Sequence, residues 1–420
     1  MRVVSLLQQS LGSCLVSVHQ ARAACVFGIV NALLRGQKLT AVGLGRSVGG
    51  CVSQKHSIKQ VDRLLGNWRL HAEIPVFCTA VANMLLKGAR RPLILVDWTD
   101  LSPKQMALIA AVPIGGRALP IYFESHPISK YANAKVERNF LLALKRRVVP
   151  ENCWPIVVTD AGFRNPWFKT VIDIGWDFVG RLGAHVMVSA AAPVTGAAAS
   201  KATCWLKVRS LFVEATDRPD DLDERLVVAT NPITARVVRY KKLPAGRHGS
   251  KKVNRKGVHP GSTAYKKYQR REKEPWVLAT SLRSPSAREI TGLYRRRMEI
   301  EETFRDAKSH RFGWSFEDAW SRDLDRLRVL LLVACLALLE QTLIGIVAEQ
   351  SGLHRCYQAN TVRNRRVLSF FVLGGLILAS EDCRRLLAYL ATDHFRTLRA
   401  RVAIYPDAGP LDSTEIRGDP

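Results

Sequence analysis

Residues 91–123 read RPLILVDWTDLSPKQMALIAAVPIGGRALPIYF, and the fold turns on how this stretch is divided. RPLILVDW (91–98) is a continuous apolar run of the length and composition of a buried strand. MALIAAV (106–112) and ALPIYF (118–123) repeat the pattern, with Gly115 and Gly116 between them as a turn. Further on, ANAKVERNFLLALKRR (132–147) has helical period and WPIVVTD (154–160) is a fourth strand. NPWFKTVIDI (165–174) is again helical, and GWDFVGRL (175–182) is strand-like. Three consecutive strands, then helix, strand, helix, strand, imply a mixed sheet covered by helices, an α/β (α+β) core.

On the N-terminal side, residues 1–35 alternate apolar and polar positions at helical spacing. LTAVGLGRSVGGCVSQKHSIKQVDRLLGN (39–67) reads as a helix, a break at Gly49-Gly50, and a second helix carrying Lys55, His56, Lys59 and Arg63. Two short helices about a glycine turn, the second basic, suit a DNA-reading element and equally an ordinary helical hairpin. On the C-terminal side the α/β alternation stops near 185. TCWLKV (203–208), RLVVAT (225–230) and ARVVRYKKL (235–243) are strands of an inserted β-rich unit that runs into AGRHGSKKVNRKGVHPGSTAYKKYQRREKEP (245–275). That segment is a solvated loop or, with Lys251, Lys252, Arg255 and Lys256, a phosphate-contacting arm. WVLATSL (276–282) resumes as a strand, and from about 325 the chain reads as helices. The expected organisation is a helical N-terminal region (1–90), a first part of the core (91–184) and the β-rich insertion with its basic arm (185–275). A second part of the core (276–325) and a helical C-terminal region (326–420) complete it.

Of the 420 residues 47% are hydrophobic, which supplies a sizeable core and excludes a disordered chain. Sixty-three Lys and Arg against 36 Asp and Glu leave a net charge of +27, which points to a polyanionic partner, nucleic acid before membrane. VLLLVACLALL (329–339) is too short to span a bilayer and leads into Glu340 and Gln341, so it reads as a buried helix. LSFFVLGGLILAS (368–380) is also short, and Gly374 and Gly375 are expected to break it. MRVVSLLQQS has no continuous apolar segment of a secretory signal. The nine cysteines are odd in number, scattered and never spaced as a metal knuckle, and they read as reduced core residues of a cytoplasmic protein.

YRRRMEIEETFRDAKSH (294–310) is crowded with charge. At about 100° per residue, one helix through it places Tyr294, Arg297, Glu301 and Lys308 within a sector of roughly 60°. Leu293, Ile300, Phe304 and Ala307 form a neighbouring apolar stripe. Such a run is a solvated face or the rim of a site. Asp97 and Asp160 each end an apolar run, where a carboxylate needs compensation. Hard divalent cations are the usual partner of such oxygens, and three acids can hold two Mg²⁺ ions about 3.5–4 Å apart for in-line phosphoryl transfer. Asp100 faces the other side of the strand, and Glu299 and Glu302 point away from the stripe.

Tyr294, Arg297, Glu301 and Lys308 match the Y-x2-R-x3-E-x6-K signature of bacterial cut-and-paste transposases, the insertion-sequence-four family of DDE transposases. VDWTD, VVTDAGFRNPWFKTV, GWDFVGRL, EPWVLATSL and QANTVRNRRVLS also resemble that family, particularly its Tn-ten-type branch, over residues 35 to 370. The resemblance implies an RNase H-like core interrupted by a β insertion, with Asp97, Asp160 and Glu301 as catalytic metal ligands for two Mg²⁺ (or Mn²⁺) ions. It implies that Arg297 and Lys308 contact DNA phosphates, that Tyr294 packs near the transposon end, and that Trp276 stacks on a base displaced during hairpin formation. A core tryptophan at a strand start is the other reading of Trp276. The partners implied are double-stranded DNA, as terminal inverted repeats and target, and a second copy of the chain in a homodimer. The resemblance makes the N-terminal region (1–90) the DNA-end-binding region and the C-terminal region (326–420) a place for dimerisation. No membrane is implied, and the protein would be a cytoplasmic, nucleoid-associated bacterial enzyme. A catalytically silent DNA-binding descendant and a metal-dependent nuclease without strand transfer are the competing expectations.

Overall fold

A computed structural model describes residues 2–192, 204–242, 274–310, 313–319, 321, 323–359, 361–362, 365–380 and 394–405. The basic arm with Lys251, Lys252, Arg255 and Lys256 lies outside the described residues. The chain divides into two units, Met1–Ile156 with Arg296–Pro420, and Val157–Arg295.

The first unit opens with five helices, α1 (Arg2–Gly12), α2 (Gln20–Gly36), α3 (Ala41–Ser47), α4 (Gln54–Leu65) and α5 (Trp68–Leu86). Gly49 and Gly50 between α3 and α4 both have positive φ, as the expected helix break requires. A meander follows, β1 (Leu93–Ser102), β2 (Gln105–Ile114) and β3 (Arg117–Pro127), each strand antiparallel to the next. Gly115 and Gly116 join β2 to β3 with φ of 58° and 90°, the two positive values of a type I′ hairpin turn. Every residue of β2 is buried, which explains why its sequence does not alternate. Helix α6 (Ala134–Ala143) is capped by Asn133, whose side chain accepts the amides of Lys135 and Val136.

The second unit contains β4 (Ile156–Thr159), which begins at the boundary, α7 (Asn165–Asp173), β5 (Asp177–Arg181), β6 (Met187–Ser189), β7 (Trp205–Lys207), β8 (Asp220–Val227), β9 (Ile233–Tyr240), β10 (Trp276–Thr280) and α8 (Ala287–Arg295). Its strands are ordered β4-β5-β10-β9-β8-β6-β7, with β10 antiparallel to both β5 and β9. The inserted strands β6–β9 therefore continue the sheet beyond β10. Arg239 and Arg236 bind them across the β8–β9 pair, to Asp220 and Asp221 respectively. Along the chain the core elements run β1-β2-β3, α6, β4, α7, β5, the expected mixed α/β order, consistent with an RNase H-like core.

The first unit is completed by α9 (Met298–Lys308), α10 (Leu324–Gln350), α11 (Phe370–Leu378) and α12 (His394–Ala400). Helix α10 carries the VLLLVACLALL run. Among the described residues it alone is long and apolar enough to cross a membrane, yet 94% of its apolar window is buried. It packs on α2, α4, α5, β3, α11 and α12, so it is the unit's central core helix. Gly374 and Gly375 do not break α11, contrary to the sequence expectation. They lie inside it, where a Cβ on Gly374 would overlap the Gln341 carbonyl of α10. A Cβ on Gly345 of α10 would overlap the Phe370 carbonyl in the same way. The glycines bring the two backbones together, and Gln341 Nε2 donates to Phe371 O at 2.7 Å across the contact.

The cysteines also depart from expectation. The eight described ones are free, but only Cys78 and Cys153 are buried, while Cys14, Cys51, Cys204 and Cys356 are exposed.

The helix crossing gives a stability test. Gly374→Ala should cost about 1–3 kcal/mol by overpacking against backbone. Gly28→Ala, on an exposed turn of α2 with open space around it, should stabilise by up to about 1 kcal/mol. Urea melts of the two variants beside the parent chain measure both.

Candidate active site

Asp97 sits in the middle of β1, paired with Ile109, because β1 runs on to Ser102. The expectation that it closes its strand is thereby corrected; the polar residues after Trp98 are held in the ladder by their pairing with β2. Its Oδ1 accepts the Trp98 amide at 2.9 Å. Thr99 lies two residues on, and so on the same face of the strand.

The charged run is two helices, not one. Helix α8 ends at Arg295 and α9 begins at Met298, with Arg296 and Arg297 in the turn between them. Arg297 still has helical backbone angles, so the angular spacing from Arg297 to Lys308 survives the break. The buried residues of α9 are Ile300, Thr303 and Asp306, and Phe304 and Ala307 are half-buried at the edge of the expected stripe.

Helix α9 is fixed to the β2–β3 turn by polar contacts. Thr303 Oγ1 accepts the Ala118 amide at 2.7 Å, and Arg117 Nε donates to Asp306 Oδ2 at 2.8 Å. Ser369, which caps α11, donates to the same Asp306 oxygen at 3.3 Å. Seated in this way, α9 turns its polar side onto β1. Arg297 Nη1 lies 2.6 Å from Glu301 Oε1 and 3.7 Å from Asp97 Oδ2. Two turns further on, Lys308 Nζ donates to Thr99 Oγ1 at 2.9 Å. The Arg297 side chain is only 11% exposed, against 17% for Asp97 and 43% for Glu301. Glu299 pairs with Arg296 at 2.6 Å and Glu302 with Arg305, so both are engaged elsewhere, as expected. Burial pushes the Glu299 carboxyl up to about 7, against the pull of Arg296, the Gly116 amide and Arg117.

The second unit holds the remaining predicted residues. Asp160 directly follows β4 and is half-buried, with Oδ1 accepting the Gly162 amide at 2.8 Å. Trp276 opens β10, half-buried, and its ring meets Tyr294 edge-on at 4.8 Å and Tyr240 at 5.5 Å. Tyr294 is 2% exposed, so its phenol ring is a packing element under Trp276. Among the described residues no group of three or more His, Cys, Asp and Glu side chains is gathered closely enough to hold a metal ion.

Asp97 and Glu301 carry the hard carboxylate oxygens that suit a divalent cation, and each lies within ion-pair distance of one positive charge, the Arg297 guanidinium. Soft ligands such as thiolates are absent from these contacts.

A second basic feature lies in the N-terminal helices. Lys55, Lys59 and Arg63 are exposed along α4 at helical spacing. Lys59 and Arg63 line a cleft of about 570 Å³ together with His19, Arg22, His56 and Arg69. The sequence singled out α4 alone, since Arg22 and Arg69 reach the cleft from α2 and α5 only through packing. Trp68, 71% exposed at the start of α5, has the Arg69 guanidinium 5.2 Å from its ring centroid. Thr99 and Thr303 were also missed. Thr99 was legible from strand alternation next to Asp97, whereas nothing local marks Thr303.

The net charge of +27 on this mixed α/β frame suits a polyanionic partner. A family model described as the transposase DDE domain matches residues 89–339, and the chain belongs to that family. Its function is accordingly that of a transposase and its substrate is DNA. No curated protein matches the chain.

The seating of α9 can be checked directly. Thr303→Val removes the acceptor of a buried amide and should cost about 1–3 kcal/mol. Thr303→Ser, which retains the hydroxyl, should recover most of that loss in the same thermal melts.

Proposed function

We propose that this transposase cuts the ends of an insertion sequence and joins them to target DNA by phosphoryl transfer, with Asp97, Asp160 and Glu301 as metal ligands. The observation that carries the reading is the pairing of α9 with β1: Arg297, paired to Glu301, reaches Asp97, and Lys308 meets Thr99. A charge run held on a solvated face would have no strand acid opposite it. When bound, a pair of Mg²⁺ or Mn²⁺ ions supplies activation of the attacking oxygen and stabilisation of the leaving oxygen.

In this reading the chain's own residues position DNA. Lys308 and Arg297 hold phosphates on either side of Glu301. Water opens the first strand, the freed 3′-hydroxyl displaces the opposite strand to give a hairpin, and water opens the hairpin before the 3′-ends join the target. Trp276, supported edge-on by Tyr294, takes the displaced base on its ring. The cleft at α4 and the arm at 245–275 track duplex backbone. Two copies of the chain hold the two transposon ends.

The test is single-turnover cleavage of a labelled transposon end, with paired ends and target DNA, beside a thermal melt of each variant. Asp97→Ala, Asp160→Ala and Glu301→Ala should each abolish nicking and leave end binding largely intact. An active Asp97→Ala protein would overturn the assignment. Arg297→Gln and Lys308→Gln should bind ends but cleave about a hundredfold more slowly, the cost of displacing a reacting group by about 1 Å. Tyr294→Phe should be milder than either. Cleavage without joining would make the protein a nuclease.

Charge in the N-terminal cleft has a different signature. Replacing Lys55, Lys59 and Arg63 with Gln should weaken binding to all sequences alike. The slope of log K against log salt should flatten by up to about 0.9 for each phosphate that is no longer neutralised. The same substitution at Lys251, Lys252, Arg255 and Lys256 tests the arm, and an unchanged slope would make either segment a solvated surface.

A further inference from the structure

We infer that Arg297 is a stand-in for the active-site metal: it holds Asp97 and Glu301 together as a cation until a divalent ion displaces it, and the displaced guanidinium is then released to take a DNA phosphate. This rests on the reading of Asp97 and Glu301 as metal ligands.

Three observations carry it. One nitrogen, Nη1, serves both carboxylates, at 2.6 Å from Glu301 and 3.7 Å from Asp97. The guanidinium is therefore within ion-pair distance of both carboxylates proposed to hold the metal. The Arg297 side chain is only 11% exposed, so its charge is spent inside the site, where a DNA phosphate could not share it without rearrangement. Lys308, at the far end of α9, behaves differently, since its ammonium donates to the Thr99 hydroxyl at 2.9 Å.

Chemistry makes the two occupants exclusive. Two carboxylates drawn together in a partly dry site repel, and a permanently charged guanidinium relieves that repulsion without a metal. A divalent ion takes the same oxygen lone pairs at about 2.0–2.6 Å and repels a second cation at such range. Arg297 stands in the turn between α8 and α9 and not within a helix, so its side chain can leave the acids without unwinding α9. Metal loading and phosphate contact are thereby coupled in one residue: the empty site masks its phosphate ligand, and the loaded site exposes it.

The test needs no catalysis. Mn²⁺ binding to the DNA-free protein is measured by calorimetry at fixed ionic strength for the parent chain, Arg297→Gln, Lys308→Gln and Glu301→Gln, with melts to establish folding. Removing a competitor should tighten Mn²⁺ binding about tenfold in Arg297→Gln, inside the 5–150-fold range usual for coupled sites. Lys308→Gln removes an equal charge that does not compete and should change affinity by no more than about twofold through screened long-range repulsion. Glu301→Gln should weaken binding. Arg297→Met supplies the same comparison if the Gln variant does not fold. Equal tightening in the Arg297 and Lys308 variants, or weaker binding without Arg297, overturns the inference and leaves the metal site standing. Absence of Mn²⁺ binding in every variant overturns the metal site itself and the inference with it.

Discussion

A carboxylate in the middle of a β-strand is expensive to desolvate, and the first unit is arranged around meeting that cost at Asp97. Its neighbours along β1 are apolar and buried, so compensation has to arrive from another element. It arrives on α9, through a guanidinium already paired to Glu301. The position of α9 over β1 is therefore an electrostatic requirement as well as a packing one. It explains why so charged a helix lies against a sheet.

The seating depends in turn on a two-residue turn. Gly115 and Gly116 fold β2 back onto β3 with both φ values positive, and a Cβ on Gly115 would strike the Phe370 ring at the start of α11. The tight turn presents Arg117 and the Ala118 amide to Asp306 and Thr303. Asp306 also receives the Ser369 hydroxyl, so hairpin, α9 and α11 share one carboxylate. Rotation of α9 is set by these contacts on its buried side, and the direction of Glu301 follows from them.

The strand order and most helices were legible from the sequence because apolar runs and turn residues are local signals. The antiparallel meander, α7, β5 and the glycine break between α3 and α4 all fall where periodicity and Gly placed them. The failures share a cause, which is tertiary contact overriding local preference. Gly374 and Gly375 looked like breakers and are contact points, because α10 packs against them. The run from Tyr294 to Lys308 looked like one helix, and three consecutive arginines gave no local sign of a turn. Asp97 looked terminal because polar residues follow it, but β2 pairs with them. At the site, the helical spacing from Arg297 through Glu301 to Lys308 survives along α9, while Tyr294, expected on the same face, lies on α8. Spacing could not show that Arg297 already holds a pair of acids, nor that Tyr294 would be 2% exposed.

The core helix α10 has a consequence for biogenesis. The unit it stabilises is assembled from two chain segments with the whole second unit synthesised between them. On the ribosome, α2, α5 and β3 emerge with apolar faces whose covering helix does not yet exist. High contact order of this kind slows folding and lengthens the exposure of sticky surface. The N-terminal helices can therefore reach their final packing only after translation has passed residue 350. A nascent chain that has cleared the exit tunnel only through the second unit has an open core, and newly made protein becomes competent as a late, nearly all-or-none event.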